Sequence, residues 1–124
     1  MKQFFLTLFL TASLLINAQT HTANYTATYY GNNYKGMRHT ANGDVFNMNA
    51  MTCAAPKHYK FGTLLKVTNV SNGKSVIVKV TDRGGFGNRV IDLTYGAFGK
   101  IANHKSGRIK VHVEEVSQKK SNKH

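Results

Sequence analysis

The chain has 124 residues, with 17 Lys and Arg against 5 Asp and Glu, a formal net charge of +12 and one cysteine. This length holds one domain with a real hydrophobic core and excludes a multidomain architecture. The lone Cys53 excludes an intramolecular disulfide, and the charge excess attracts polyanions without choosing among them.

Met1 and Lys2 precede an apolar run over 4–16 that only Thr and Ser interrupt, and the small Ala18 follows before Gln19. That is the layout of a secretory signal peptide, expected over 1–18. The run is shorter than the roughly 20 apolar residues a membrane-spanning helix requires, so no stable membrane insertion is expected. An uncleaved N-terminal anchor is the other reading. No cysteine lies near the cleavage region, so lipid attachment is not expected either. The expected location is across the inner membrane, in the periplasm or outside the cell. The polyanions there are anionic wall polymers, peptidoglycan carboxylates and lipid head groups, and nucleic acid is not an expected partner.

Residues 25–30 (YTATYY) are aromatic and β-branched, as a strand prefers. A loop over 31–44 follows, rich in Gly and Asn and carrying Tyr34, Lys35, Arg38 and His39; loops of this length in small domains are functional or disordered. Cys53 sits among small apolar residues and reads as a buried hydrophobe. Strands are expected over 64–70 and 75–80, joined through Asn72-Gly73, a hairpin signal because both residue types tolerate positive φ. The second of these strands runs into a glycine-rich loop over 81–87. A short buried strand follows over 90–93, then about two turns of helix over 93–101, weakened by Gly96 and Gly99. Alternation over 108–114 closes the domain with a half-exposed strand. These elements predict a mostly-β barrel or sandwich over 19–116, ahead of a flexible basic tail over 117–124.

Eight blocks occur in order: Tyr29-Tyr30-Gly31, Thr40-Ala41-Asn42-Gly43-Asp44-x-Phe46, Met48-Asn49-Ala50-Met51-Thr52, Phe61-Gly62-Thr63, Val67-Thr68-Asn69, Asn72-Gly73-Lys74-Ser75-Val76, Thr81-Asp82-Arg83-Gly84, and Ile91-Asp92-Leu93. The series resembles the rare lipoprotein A family of septal-ring lytic transglycosylases and, more distantly, the barrel domain of expansins. The resemblance implies a six-stranded double-psi β-barrel with pseudo-twofold symmetry, one or two short helices and a groove across one face. It implies an endolytic lytic transglycosylase that cleaves the glycosidic bond between N-acetylmuramic acid and N-acetylglucosamine and leaves a 1,6-anhydro end. A non-catalytic, expansin-like protein that grips or loosens wall glycans is the alternative.

The resemblance also implies that Asp82 is the catalytic acid/base. Its position after a buried strand favours a partly desolvated carboxyl able to hold a proton; the other reading is a loop cap or a partner for Arg83. Asp92 either orients substrate and tunes Asp82 or caps the following helix. Asp44 stands where the family carries Glu. The family histidine before Phe-Gly-Thr is replaced by Ala55 or Pro56, with His58 nearby as either its displaced counterpart or an exposed loop residue. Substrate contacts are expected from Tyr29, Tyr30, Tyr34 and Phe86 as stacking faces, Tyr34 foremost, with Phe86 and one of the adjacent tyrosines Tyr29 and Tyr30 being core in the other reading. Thr40, Asn42 and Arg83 in the motif blocks complete the expected contacts. His39, His58, His104 and His112 lack paired ligand spacing, so no metal and no cofactor are expected. The expected species is a monomer whose partners are peptidoglycan glycan strands.

Overall fold

A computed structural model describes residues 23–31, 38–84 and 87–117; the expected leader, Tyr34, Phe86 and all of the tail but Ser117 lie outside the described residues. Six strands form a closed barrel: β1 (Ala23–Tyr30), β2 (Thr52–Ala55), β3 (Leu64–Asn69), β4 (Ser75–Arg83), β5 (Val90–Thr94) and β6 (Ile109–Glu115). Their order around the barrel is β1-β5-β2-β4-β3-β6, with β1/β5 and β2/β4 parallel and the other four pairings antiparallel. Exchanging β1 with β4, β2 with β5 and β3 with β6 maps this pairing scheme onto itself. That exchange is the pseudo-twofold the resemblance implies. Closure leaves no open sheet edge.

Alternation builds the core. Val76, Val78 and Val80 of β4, Leu65 and Val67 of β3, and Val111 and Val113 of β6 point inward, each at most 9% exposed. The helix α1 (Tyr95–Ile101) adds Ala97, Phe98 and Ile101 to the same cluster. It starts two residues later than the apolar spacing predicts because Leu93 and Thr94 complete β5. Thr94 then caps it, its hydroxyl accepting from Ala97 N at 3.2 Å and donating to Ala50 O at 2.6 Å. At the other end the carbonyl of Ile101 accepts from Asn69 Nδ2 and Asn72 Nδ2 at 2.8 and 2.9 Å, satisfying an acceptor with no partner inside the helix.

The hairpin expected at Asn72-Gly73 is present, since β3 and β4 pair antiparallel up to Thr68 opposite Ser75. Only Gly73 takes positive φ, at 74°. Asn72 serves through its side chain, accepting from Lys74 N while reaching the helix end. A short 3-10 turn, His104–Ser106, connects α1 to β6. Among the described residues no helix is long and apolar enough to cross a membrane.

Candidate active site

Strict alternation along β4 would carry Asp82 into the core beside Val76, Val78 and Val80. The register prevents this. Cys53 of β2 pairs with Val80, but the next residue, Ala54, pairs with Asp82, so Thr81 is an extra residue on β4. Such a bulge reverses the facing of everything after it. Val80 and Thr81 are therefore consecutively buried, and Asp82 turns outward, half-buried. Thr81 bears the consequence: it is 2% exposed and its hydroxyl has no hydrogen-bond partner.

On β5, Ile91 and Leu93 fill the core, which places Asp92 on the outer face between them. Thr28 of β1 pairs with Asp92, Asp92 with Ala54, and Ala54 with Asp82. Directly paired residues share a face, so Thr28, Asp92, Ala54 and Asp82 form one row across four strands. The two aspartates stand two strand spacings apart, about 9–10 Å between backbones, with only the methyl of Ala54 between them. Thr28 donates to Asp92 Oδ1 at 2.8 Å. Burial raises the Asp92 carboxyl above its ordinary value; the Thr28 hydrogen bond opposes this and the charge of Asp82 adds to it. The helix-capping alternative for Asp92 is excluded, since Thr94 fills that position.

Beyond Asp82 lies a tight turn. His39 and Val45 bridge, Thr40 N donates to Asp44 O at 2.8 Å, and Asp44 N donates to Asn42 Oδ1 at 3.0 Å. Asn42 N donates to Thr81 O at 3.1 Å, fastening the turn to the bulge. Asp82 Oδ1 accepts from Ala41 N at 3.1 Å and from Arg83 N at 2.9 Å. A pocket of about 130 Å³ opens here between Tyr30, Arg38, His39, Thr40, Phe46 and Asp82. The Tyr30 and Phe46 rings lie 5.3 Å apart, and a Cβ at Gly31, whose φ is 100°, would collide with the Phe46 ring. Glycine is required there on both counts.

The remaining expected residues are placed differently. Asn42 and Thr40 form the turn, the Thr40 hydroxyl donating to Asn42 Oδ1. Asp44 is exposed, held by Asn42 Nδ2 at 3.0 Å and 3.9 Å from Lys79 Nζ. Arg83 points to the segment after β2: its guanidinium donates to Tyr59 O at 2.8 Å and lies 3.9 Å from the Phe61 ring centre. It does not form an ion pair with Asp82. His58 Nε2 is 3.0 Å from Tyr25 Oη, and its ring lies 4.3 Å from that of Tyr59, tilted by 42°, so its partners are these two tyrosines and neither aspartate. Cys53 is fully buried, its thiol pushed up to about 12 by burial and then by the Asp92 charge, which suits packing and not nucleophilic attack. Among the described residues no three His, Cys, Asp or Glu side chains converge as a metal would require.

Thr28, Ala54, Arg38, His39 and Phe46 are site residues that sequence reasoning did not assign. Arg38 and His39 stood out as polar members of the long loop. Nothing local in the sequence reveals that Thr28 lies opposite Asp92, 64 residues away.

A closed six-stranded barrel of this pairing, with two aspartates and a hydroxyl in a row on its outer face and Asp82 at the edge of a pocket, defines a double-psi β-barrel. A family model described as "Lytic transglycolase" matches residues 22–113, and the chain belongs to that family, the double-psi barrels typified by RlpA. The chain is 54% identical over 82 residues to a probable endolytic peptidoglycan transglycosylase RlpA from Synechocystis, covering 65% of this chain and 25% of that protein. It is 43% identical over 102 residues to the endolytic peptidoglycan transglycosylase RlpA of Campylobacter jejuni, covering 82% of this chain and 36% of that one. The chain thus spans about a quarter to a third of the length of these curated relatives. In fold it is similar to the apo crystal structure of an expansin from Clavibacter michiganensis, with a TM-score of 0.66 and 24% identity over 79% of this chain and 52% of the expansin chain.

Proposed function

We propose that the protein is a secreted endolytic lytic transglycosylase acting on peptidoglycan glycan strands. The observation that carries this reading is the row Thr28–Asp92–Ala54–Asp82 beside the pocket. Relatives named as endolytic peptidoglycan transglycosylases support the substrate class. Secretion rests on the leader-like sequence over 1–18, whose removal leaves Gln19 four residues ahead of β1.

Two carboxyls separated by a gap and held in unlike surroundings are a general acid and a general base. We assign the donor to Asp92, half-buried and hydrogen-bonded to Thr28, in place of the Asp82 that the resemblance implies: it gives a proton to the glycosidic oxygen as the C1–O bond breaks. Asp82, an acceptor already oriented by two backbone N–H groups, takes the proton of the muramoyl C6 hydroxyl as that oxygen closes on C1. In hydrolytic glycosidases with two spaced carboxyls the gap holds water; here the sugar's own hydroxyl serves. One proton leaves Asp92 and one arrives at Asp82, so no water is consumed and the product ends in a 1,6-anhydro sugar. Tyr30 and Phe46 offer the pocket aromatic faces for a sugar ring, and Arg38 and His39 supply donors.

The experiment is digestion of purified sacculi with the mature chain and with Asp82→Asn and Asp92→Asn. General acid–base participation contributes about 10²–10⁴-fold in rate, so each substitution should remove most anhydro product from a chain that still unfolds in one cooperative transition. Full activity in both variants would overturn the assignment. Wall binding without any product from the unmutated chain would favour the expansin-like alternative.

A further inference from the structure

A second cavity, of about 510 Å³, opens away from the Asp82 pocket on the outer face of β1 and β6. Arg89, Lys110 and His112 line it with Asn24 and Thr26, and Val70, 51% exposed, adds an apolar wall. Register explains the convergence. Thr26 pairs with Lys110 and Asn24 with His112, so these four side chains share one face. Arg89 is brought in because its carbonyl accepts from Thr26 N at 3.0 Å, and Val70 because its N–H donates to Lys110 O at 3.1 Å.

The three basic side chains are exposed and have no acidic partner among the described residues, where the only ion pair is Lys79–Asp44. The nearest acid along that face of β6, Glu114, stands opposite Lys66 in the register. Exposed cations normally repel one another. Arg89 and Lys110 gathered around a concave surface, with His112, Asn24 and Thr26 as further hydrogen-bonding groups, suit an oxyanion.

Its place relative to the aspartate row identifies which oxyanion. Asn24, Thr26 and Thr28 follow at two-residue steps, so all three lie on the outer face of β1. The cavity is therefore about 7–13 Å along the strand from Thr28, within reach of the sugar next to one held at Asp92. We infer that this cavity is an anion subsite for a carboxylate carried by the muramoyl unit neighbouring the scissile bond. The inference rests on the glycan-cleaving reading of the aspartate row. The carboxylate is either the lactyl group of a peptide-free sugar or an acid of an attached peptide.

The test measures binding to sacculi in the Asp82→Asn background, which removes cleavage from the readout. Arg89→Gln/Lys110→Gln is compared with Lys100→Gln/Lys105→Gln, which changes net charge equally outside the cavity. The first pair should bind about tenfold more weakly than the second, as two exposed charge contacts allow, with both melting transitions unchanged. Capping sacculus carboxylates as amides should weaken the Lys100/Lys105 control by about the same factor and the Arg89/Lys110 variant by less than about twofold. Sacculi stripped of peptides by an amidase keep the difference between variants if the lactyl carboxylate is bound and lose it if the peptide supplies the acid. Equal binding by the two variants would overturn the subsite, as would a difference that amide capping leaves untouched and polyphosphate abolishes. Failure of the glycan-cleaving reading is seen separately, as absence of anhydro product from the unmutated chain.

Discussion

Asp82 faces solvent because one residue is inserted before it, and the inserted residue shows what that arrangement costs. Thr81 keeps its carbonyl satisfied by Asn42 N, but its hydroxyl is buried without a partner. Thr81→Val removes the orphaned group at nearly constant shape and should stabilise the fold by about 1 kcal/mol; chemical denaturation checks this, and loss of stability would mean that the hydroxyl has a role the geometry misses. Asp92 makes a pH-dependent prediction. Its folded-state carboxyl titrates above the ordinary 3.8, so ionising it is harder in the fold than in the unfolded chain. Stability referred to the protonated state is therefore fully present below the ordinary value and is lost as pH rises through the folded value. Asn keeps the acceptor for Thr28 and cannot ionise. The melting temperature of Asp92→Asn relative to the unmutated chain should thus climb as pH goes from about 3 to 7. A flat difference would contradict the raised carboxyl.

Most strands announce themselves, but β2 does not. Thr52–Ala55 is four residues of small side chains with no alternation, because it is buried on both sides between β4 and β5. Missing β2 means missing the frame that holds Asp82 and Asp92 on either side of Ala54. Likewise the sequence places Asp82 in a glycine-rich loop, whereas β4 continues through Arg83; the bulge, invisible to any period-two pattern, lets the strand run on while changing face. The glycines of α1 weaken a helix by propensity, yet Gly96 has a contact that no helix scale contains: a Cβ there would lie 2.8 Å from Asn49 Cα, and Gly96 N donates to Met48 O. Gly96→Ala should therefore destabilise by about 1–3 kcal/mol despite the better helix former. A rise in melting temperature would show that the 47–50 segment yields freely. Asn69 links β3 to the same helix. It is 4% exposed and its amide donates to Ile101 O, so Asn69→Leu should cost about 1–3 kcal/mol by removing one of the two amide donors to that carbonyl and leaving Ser71 N unpaired.

For the whole molecule, family resemblance and alternation together give the barrel, the hairpin and the motif aspartates, while the long-range register gives the site. The pseudo-twofold sets Thr28 in the place of Asp82 and Ala54 in the place of Asp92. The two halves thus match in backbone and differ in chemistry, one contributing hydroxyl and methyl where the other contributes carboxyls. Sequence periodicity within one half cannot reveal this asymmetry. The net charge of +12 acts at this scale too. Binding to sacculi should weaken as ionic strength screens it, with a residue of binding left at high salt from groove contacts; complete release at moderate salt would mean charge alone holds the protein to the wall. The most direct measurement of the central claim is mass spectrometry of glycans released from sacculi in water enriched in oxygen-18. If Asp92 and Asp82 pass a proton in and out while the muramoyl C6 hydroxyl attacks C1, the new ends are 1,6-anhydro sugars without label. Reducing ends carrying oxygen-18 would show that water attacks, and the transglycosylase account would be wrong.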